Sequence, residues 1–485
     1  MPALRVKTPT GAPHAANLRS PAQSVRNPAT WFQPGIIGYA GPEITNGLRA
    51  FLYAVTSSPL RPGFFYGACL GEPTLVRSFP PWRCIVPTMR AKPLLGMTAI
   101  VAGLAGVLVG ALLFGPDFVG SREKGQTEER LPTYFPNTET LRPDEMRVTA
   151  LGTGLPTPLT RAQKATAFMV ELGNGDIFLF DLGTGSMTNL FGLRPDFSKM
   201  DKVFLSHLHS DHFGDLDAFI VGSWLSGRYT PLHVYGGSGE TAELGTKAAV
   251  DSLVKALAWD IKGRSGLLPD AGGKVIAHEF DYKKEDQVVY EERGVTIKSW
   301  PAIHGLDGSV SYRLEWNGLS FVFGGDTRPN RWFIKYAKEA DLVIHECFPT
   351  PEGLAAFNDW EIREATYVSS YVHTPPTGFG KVMSEIRPRM AVAFHTVLLP
   401  DIQQGMLQGI RETYDGPLTI ASDLMVWNVT KDAITTREAV FPDRVTPPPT
   451  TDGYKNAPRS GIAEMSKYIM DGAWEGFEPP PLPEE

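Results

Sequence analysis

The chain has 485 residues, with 46 Lys and Arg against 53 Asp and Glu for a net charge of −7, and 42% of its residues are apolar. That composition supports a sizeable packed core and excludes collagen-like and disulfide-scaffolded classes. Its three cysteines, Cys69, Cys84 and Cys347, are too scattered for a stapled framework or a thiolate zinc cluster, so a bound metal would have to rely on imidazole and carboxylate.

Charge is unevenly spread along the chain. Residues 1–92 hold ten Lys and Arg against two Glu, a net of +8, which leaves −15 for the remainder. An acidic body disfavours nucleic acid as a partner, because phosphate neutralisation needs a basic surface. Residues 1–88 are rich in proline, show no sustained helical or strand period, and are expected to be disordered.

From Leu94 to Gly115 the chain runs 22 residues without a charge. At 1.5 Å per helical residue this matches a hydrocarbon thickness of about 30 Å. Residues 89–116 are therefore expected to be a signal peptide or membrane anchor. Arg90 and Lys92 precede the segment and Asp117 follows it, which predicts an exported, membrane-anchored or periplasmic body, or a cytoplasmic one if the segment is not used. The basic start at Met89 predicts that translation begins there rather than at Met1.

Residues 117–143 are expected to be a polar linker. From Arg147 the pattern changes: RVTALGTG, ATAFMVEL, DIFLFDLGTG and KVFLSH are short β-branched and aromatic runs punctuated by glycine, which predicts strands and tight turns. LGTG and DLGTG lack the lysine of a phosphate-binding loop and are expected to be turns. TAELGTKAAVDSLVKALAW predicts a helix, and VVYEERGVTIKSW, SVSYRLEW, LSFVFGG and DLVIHE predict further strands. The predicted domain covers 144–440 as two sheets between helical layers, and a Pro-rich tail follows over 441–485, in which Ile462 to Ile469 is a short amphipathic piece that could dock.

The densest chemistry lies in VFLSHLHSDHFGDLDAF, where His207, His209, Asp211 and His212 fall within six positions after a strand. In extended chain, residues i and i+2 point the same way, so His207 and His209 can face one ion while Asp211 and His212 on the next turn address a second. Zinc, manganese and iron all accept such ligands, and the absence of thiolate points to a catalytic site.

With these motifs, roughly Arg147 to Asn428 resembles the metallo-β-lactamase-fold hydrolases, and within them the subgroup similar to ribonuclease Z and arylsulfatase-type enzymes. The resemblance implies an α/β (α+β) fold of four αββα layers, preceded here by the N-terminal hydrophobic helix. It implies that His304 in PAIHG joins His207 and His209 on the first metal. It also implies that His395 in VAFHT joins Asp211 and His212 on the second, and that Asp326 in FGGDTRP bridges both. Each of the three follows an apolar strand-like run, so each side chain is expected at a strand end.

Two divalent ions, zinc foremost with manganese or iron as alternatives, would ionise a shared water and hold the oxygens of an ester transition state. His373 in SSYVHTPP is similar to the family's leaving-group acid, and Glu346 in VIHECF to the glutamate that orients it. Asp181 is implied as a hydrogen-bonding support for the metal-binding loop. His345 is expected on the opposite face from Glu346, and His233 and His278 are expected to be structural.

Ribonuclease Z members often carry a tRNA-gripping arm between the third histidine and the bridging aspartate, whereas only 21 residues separate His304 from Asp326 here. The segment around GRSGLLPDAGGK could be a loop over the site. The expected function is cleavage of a small-molecule ester, a phosphodiester or sulfate ester, with nucleic acid disfavoured. Ribonuclease Z-like 3′ tRNA processing and a membrane-tethered, non-catalytic binding module are the alternatives. The sequence leaves the oligomeric state open, and the resemblance, whose members are often dimers, allows a homodimer.

Overall fold

The computed structural model describes residues 131–156, 160–442, 444 and 453–481. The expected disordered extension, the Met89 start and the hydrophobic segment 94–115 lie outside the described residues. No helix among the described residues is long and apolar enough to cross a membrane.

Sixteen strands among the described residues form two mixed sheets. In chain order they are β1 (Thr133–Tyr134), β2 (Met146–Gly152), β3 (Ala167–Leu172), β4 (Ile177–Phe180), β5 (Lys202–Leu205), β6 (Leu232–Gly237), β7 (Val275–Phe280) and β8 (Gln287–Glu292). There follow β9 (Val295–Pro301), β10 (Val310–Trp316), β11 (Leu319–Phe323), β12 (Leu342–Glu346), β13 (Met390–Phe394), β14 (Leu418–Ile420), β15 (Met425–Val429) and β16 (Ile434–Ala439). One sheet has the order β1-β16-β15-β2-β3-β4-β5-β6-β7, and the other β14-β13-β12-β11-β10-β9-β8.

Alternation along each strand builds the layers. On β3, Phe168, Val170 and Leu172 enter a core shared with Phe180 of β4, Tyr312 of β10 and Phe323 of β11, so they lie between the sheets. Ala167 and Met169 of the same strand face outward, into a second core with the helices Ser186–Leu193 and Leu216–Leu225. On the other sheet, Val343 and Ala391 pack outward against Phe379, Met383, Met406 and Ile410 of the helices Pro376–Ile386 and Pro400–Arg411. Each sheet thus has two apolar faces, which accounts for the four αββα layers.

The stretch expected to be a linker is in part built into the fold. β1 pairs in parallel with β16, and Tyr134 is buried among the outer-core residues. A two-residue strand is too short to carry a sequence period, so only its partner reveals it.

The tail also departs from expectation. Tyr454 donates to the Leu267 carbonyl at 3.1 Å, and Ser460 to Asp270 at 3.0 Å. The Asp270 amide donates to the Pro458 carbonyl at 3.1 Å. The part that docks therefore precedes the amphipathic piece, whose Ile462 and Ile469 are exposed. The loop once expected over the site lies against this tail and against Trp224, whose Nε1 donates to Pro269 at 2.9 Å.

Candidate metal centre

The strand ends place the candidate ligands along one edge of the sandwich. β5 is buried and parallel to β4 and β6, and where it ends the chain delivers His207, His209 and then the short helix Ser210–Phe213 with Asp211 and His212. The DLGTG turn holds this helix close: a Cβ on Gly183 would stand 2.0 Å from the Asp211 carbonyl oxygen, so only glycine fits. His304 follows β9, Asp326 follows β11 and His395 follows β13. Two of the supporting backbones are strained, because Asp181 and His395 are non-glycine residues at φ 58° and 63°.

The side chains meet in two groups, His207 with His209 and His304, and Asp211 with His212, Asp326 and His395. His209 Nδ1 lies 3.0 Å from His207 Nε2 and 3.1 Å from His304 Nε2. Two nitrogens each 2.0–2.1 Å from a tetrahedral zinc would be about 3.3 Å apart, so the spacing fits one shared ion.

In the second group, His395 Nε2 is 3.1 Å from Asp211 Oδ2 and 3.3 Å from Asp326 Oδ2, and His212 Nε2 is 3.3 Å from Asp326 Oδ1. Asp326 Oδ2 is also 3.6 Å from His304 Nε2. Asp326 is therefore the carboxylate that touches both groups. His212 Nε2 and Asp326 Oδ1 are buried without a hydrogen-bond partner, the condition of atoms that a cation would satisfy. This donor set fits two divalent ions.

Electrostatics agree with that reading. Burial would raise the Asp326 carboxyl, but the facing His212 and His395 imidazoles outweigh it and hold it well below the usual carboxylate range. Burial lowers His304 to about 4 and pushes His207 well below its ordinary value, which keeps their lone pairs free. His395 goes the other way, to about 10: burial alone would lower it, and the Asp326 charge outweighs that. The same carboxylates that attract protons here would attract a divalent cation.

Supporting hydrogen bonds fix which ring nitrogen faces inward. His212 Nδ1 is 2.7 Å from Asp181 Oδ2, and Asp181 also accepts the Ser206 amide at 2.7 Å and the Ser206 hydroxyl at 2.6 Å. His304 Nδ1 is 3.3 Å from the Val372 carbonyl. The His395 amide donates to the Thr153 carbonyl at 2.9 Å. Asp181 thus ties together the strand end and the short ligand helix.

His373 and Glu346 sit beside the second group. His373 Nδ1 is 2.7 Å from Glu346 Oε2 and 3.8 Å from Asp326 Oδ2. The His373 ring stacks on Phe348, with centroids 4.0 Å apart and 7° between planes. His345 points away: its Nδ1 is 2.6 Å from the Glu346 carbonyl, and its ring lies against Phe333. His233 and His278 are outside the centre, paired with each other at 2.8 Å across β6 and β7.

Sequence reasoning missed Phe348 and Thr327. Phe348 stands two residues after Glu346, so the extended-chain period offered a signal. Thr327 is buried, and its amide donates to Glu346 Oε1 at 2.6 Å while its hydroxyl accepts the Ile303 amide at 2.9 Å. A single threonine carries no signal of that kind.

Three cavities open on the centre. One of about 260 Å³ is lined by Leu155, Phe348, Leu354, Trp360, Val372 and His373. Another of about 270 Å³ is lined by Leu208, His209, Glu243, Leu244 and Leu306. The third, about 440 Å³, lies beside His304 and includes Lys283, Arg328, Trp332, Tyr367 and Tyr371.

The profile of a family described as Anti-Pycsar protein Apyc1 matches residues 146–357. The chain is 30% identical over 213 residues to ribonuclease Z of Mycolicibacterium gilvum, covering 41% of this chain and 68% of that one. It is 32% identical over 207 residues to ribonuclease Z of Mycobacterium marinum, covering 41% and 70%. Among solved structures, the metallo-β-lactamase-fold protein YhfI from Bacillus subtilis aligns at 19% identity with a TM-score of 0.44, over 59% of this chain and 100% of that one.

Proposed function

Because the chain belongs to the ribonuclease Z family of metallo-β-lactamase-fold hydrolases, which act on ester bonds, we propose that it cleaves a phosphodiester of a small molecule at a dinuclear centre. The observation that carries the reading is the pair of ligand groups sharing Asp326 beside the His373–Glu346 pair. His207, His209 and His304 would hold one divalent ion and Asp211, His212 and His395 the other, with Asp326 between them and zinc the foremost candidate. When bound, such ions supply an ionised water and positive charge for the developing oxygens.

The chain's own residues do the rest. Glu346 commits His373 Nδ1, so Nε2 is the atom left to give a proton to the departing oxygen. Phe348 holds the His373 ring by stacking parallel to it. Asp181 and the Val372 carbonyl hold His212 and His304 in the tautomers that turn Nε2 inward.

A small substrate is supported by the cavities. Among all the residues that line them, Lys283 and Arg328 are the only lysine and arginine, whereas a polynucleotide needs many phosphate contacts. The hairpin of β10 and β11 fills the interval between His304 and Asp326, which leaves no room there for an arm.

Ribonuclease Z-like RNA cleavage is the second reading, favoured by the name of the relatives, and it opposes the expectation that nucleic acid is disfavoured. Purified protein loaded with zinc or manganese should hydrolyse bis(p-nitrophenyl) phosphate, with an aryl sulfate and a precursor tRNA as parallel substrates. Cleavage of the RNA alone would overturn the small-molecule reading, and turnover of the sulfate alone would replace the phosphodiester with a sulfate ester.

A further inference from the structure

The cavities flanking His304 differ in charge. The cavity of about 270 Å³ carries Glu243 and no lysine or arginine, whereas the one of about 440 Å³ carries both Lys283 and Arg328. We propose that the larger cavity is a subsite for a planar substituent bearing a second negative charge, recognised by Arg328 and by the wall of Tyr367 and Tyr371. The inference rests on the hydrolase reading above and names the class of its substrate: an ester with one anionic, ring-containing arm.

Arg328 is the central observation. It lies two residues after Asp326 and is half-buried, and its guanidinium has no hydrogen-bond or ion-pair partner among the described residues. Its backbone is fixed, because its amide donates to the Ile303 carbonyl at 3.1 Å and its carbonyl accepts from Thr327 Oγ1 at 3.1 Å and Asn330 Nδ2 at 3.2 Å. A half-buried arginine on a fixed stem, facing a cavity whose one lining carboxylate, Asp307, accepts the Tyr282 hydroxyl, is suited to a planar anion taken through two parallel N–H bonds.

The aromatic wall supplies the second requirement. Tyr367 and Tyr371 are 62% and 59% exposed, their rings stack with centroids 5.9 Å apart and 11° between planes, and both line the same cavity. Tyr371 lies on the π-helical turn Val368–Val372 that leads directly into His373, so the wall and the proton donor share one rigid segment. Exposed flat rings beside a cation bind a planar ring better than a flexible alkyl chain.

The other charged groups leave the balance positive. Lys283 stands over the Tyr282 ring at 5.3 Å, and Asp307 is taken by the Tyr282 hydroxyl at 2.6 Å. Glu285 is turned to Trp332 Nε1 at 2.8 Å and to the Tyr336 hydroxyl at 2.8 Å. Glu243 in the opposite cavity would repel the anionic arm, so charge alone sorts the two arms of a diester.

Calorimetric binding of methyl 4-carboxyphenyl phosphate and of its carboxamide analogue to the zinc-loaded full chain tests the subsite, with turnover of both followed in parallel. The carboxylate is expected to bind at least about 10-fold more tightly than the carboxamide, and R328M to cut that preference to under about 2-fold. Tyr371→Leu should weaken both ligands together. R328Q serves in the same comparison if R328M does not fold.

Equal affinities in the wild type, or a preference that survives loss of the guanidinium, would overturn the subsite. Binding with the expected preference but without turnover would uphold it and instead count against the phosphodiester reading.

Discussion

Glu346 makes two contacts that join His373 to the loop of Asp326: its Oε2 lies 2.7 Å from His373 Nδ1, and its Oε1 accepts the amide of Thr327, the residue after Asp326, at 2.6 Å. Its carboxyl is fully buried. Burial would raise it, yet the His373 charge outweighs that and keeps it below the ordinary carboxylate value. One carboxylate therefore sets both where the His373 ring is held and where the loop carrying Asp326 sits.

Glu346→Gln keeps the size of the side chain but replaces the carboxylate that accepts from His373 Nδ1. Turnover of an alkyl phosphodiester should fall about 10²-fold or more, while an activated nitrophenyl diester falls much less. A plot of rate against leaving-group pKa, with metal content measured on the same samples, checks this. Equal losses for both substrates would remove His373 from the acid role.

Asp181→Asn breaks the charged support of His212 without touching a candidate ligand position. Metal affinity should fall about 10- to 100-fold, read by competition with a chromogenic chelator, and activity should return when excess zinc or manganese is supplied. Unchanged affinity would show that Asp181 only holds the strand end.

Removal of metal should lower stability. Asp181, Asp211, Asp326 and Glu346 are all buried around the centre, so without cations their charges are balanced only by the histidines and a few neutral donors. A ligand present at 100 times its Kd adds about 2.7 kcal/mol, which for a domain of this size corresponds to a Tm change of several degrees. Differential scanning calorimetry with and without chelator, followed by metal replacement, measures it. A reversible loss of Tm is expected.

Asp423 carries a pH signature away from the ligands. It accepts Thr153 Oγ1 at 2.9 Å, the Lys164 amide at 2.7 Å and Asn189 Nδ2 at 3.1 Å, and burial pushes its carboxyl up to about 6. A folded pKa above the unfolded one means that the native state binds the extra proton. This contribution to stability is full below about pH 4 and is lost as pH rises through 6. Urea unfolding at pH 4.5 and 6.5 should show a smaller pH difference in Asp423→Asn than in the wild type.

The centre was legible in the sequence to an unusual degree because four candidate ligands sit within six positions, and His304, Asp326 and His395 each follow an apolar run that ends a strand. The order of the strands was not legible. The pairing of β15 with β2 and of β1 with β16 joins segments roughly three hundred residues apart, and no local period records it.

The same holds for chemistry made by register. His233 and His278 have no pattern of their own, and they meet only because β6 pairs with β7. Phe348 and Arg328 are ordinary residues by type, and their placement against His373 and beside the His304 cavity comes from packing.

The left-handed backbone at Asp181 and His395 has an evolutionary cost attached. Each position holds of order 1 kcal/mol or more of conformational energy that a glycine would release, and each carries a side chain the centre uses. Selection of variants for thermal resistance alone should therefore enrich glycine at 181 and 395 and return sturdier proteins with a weakened centre.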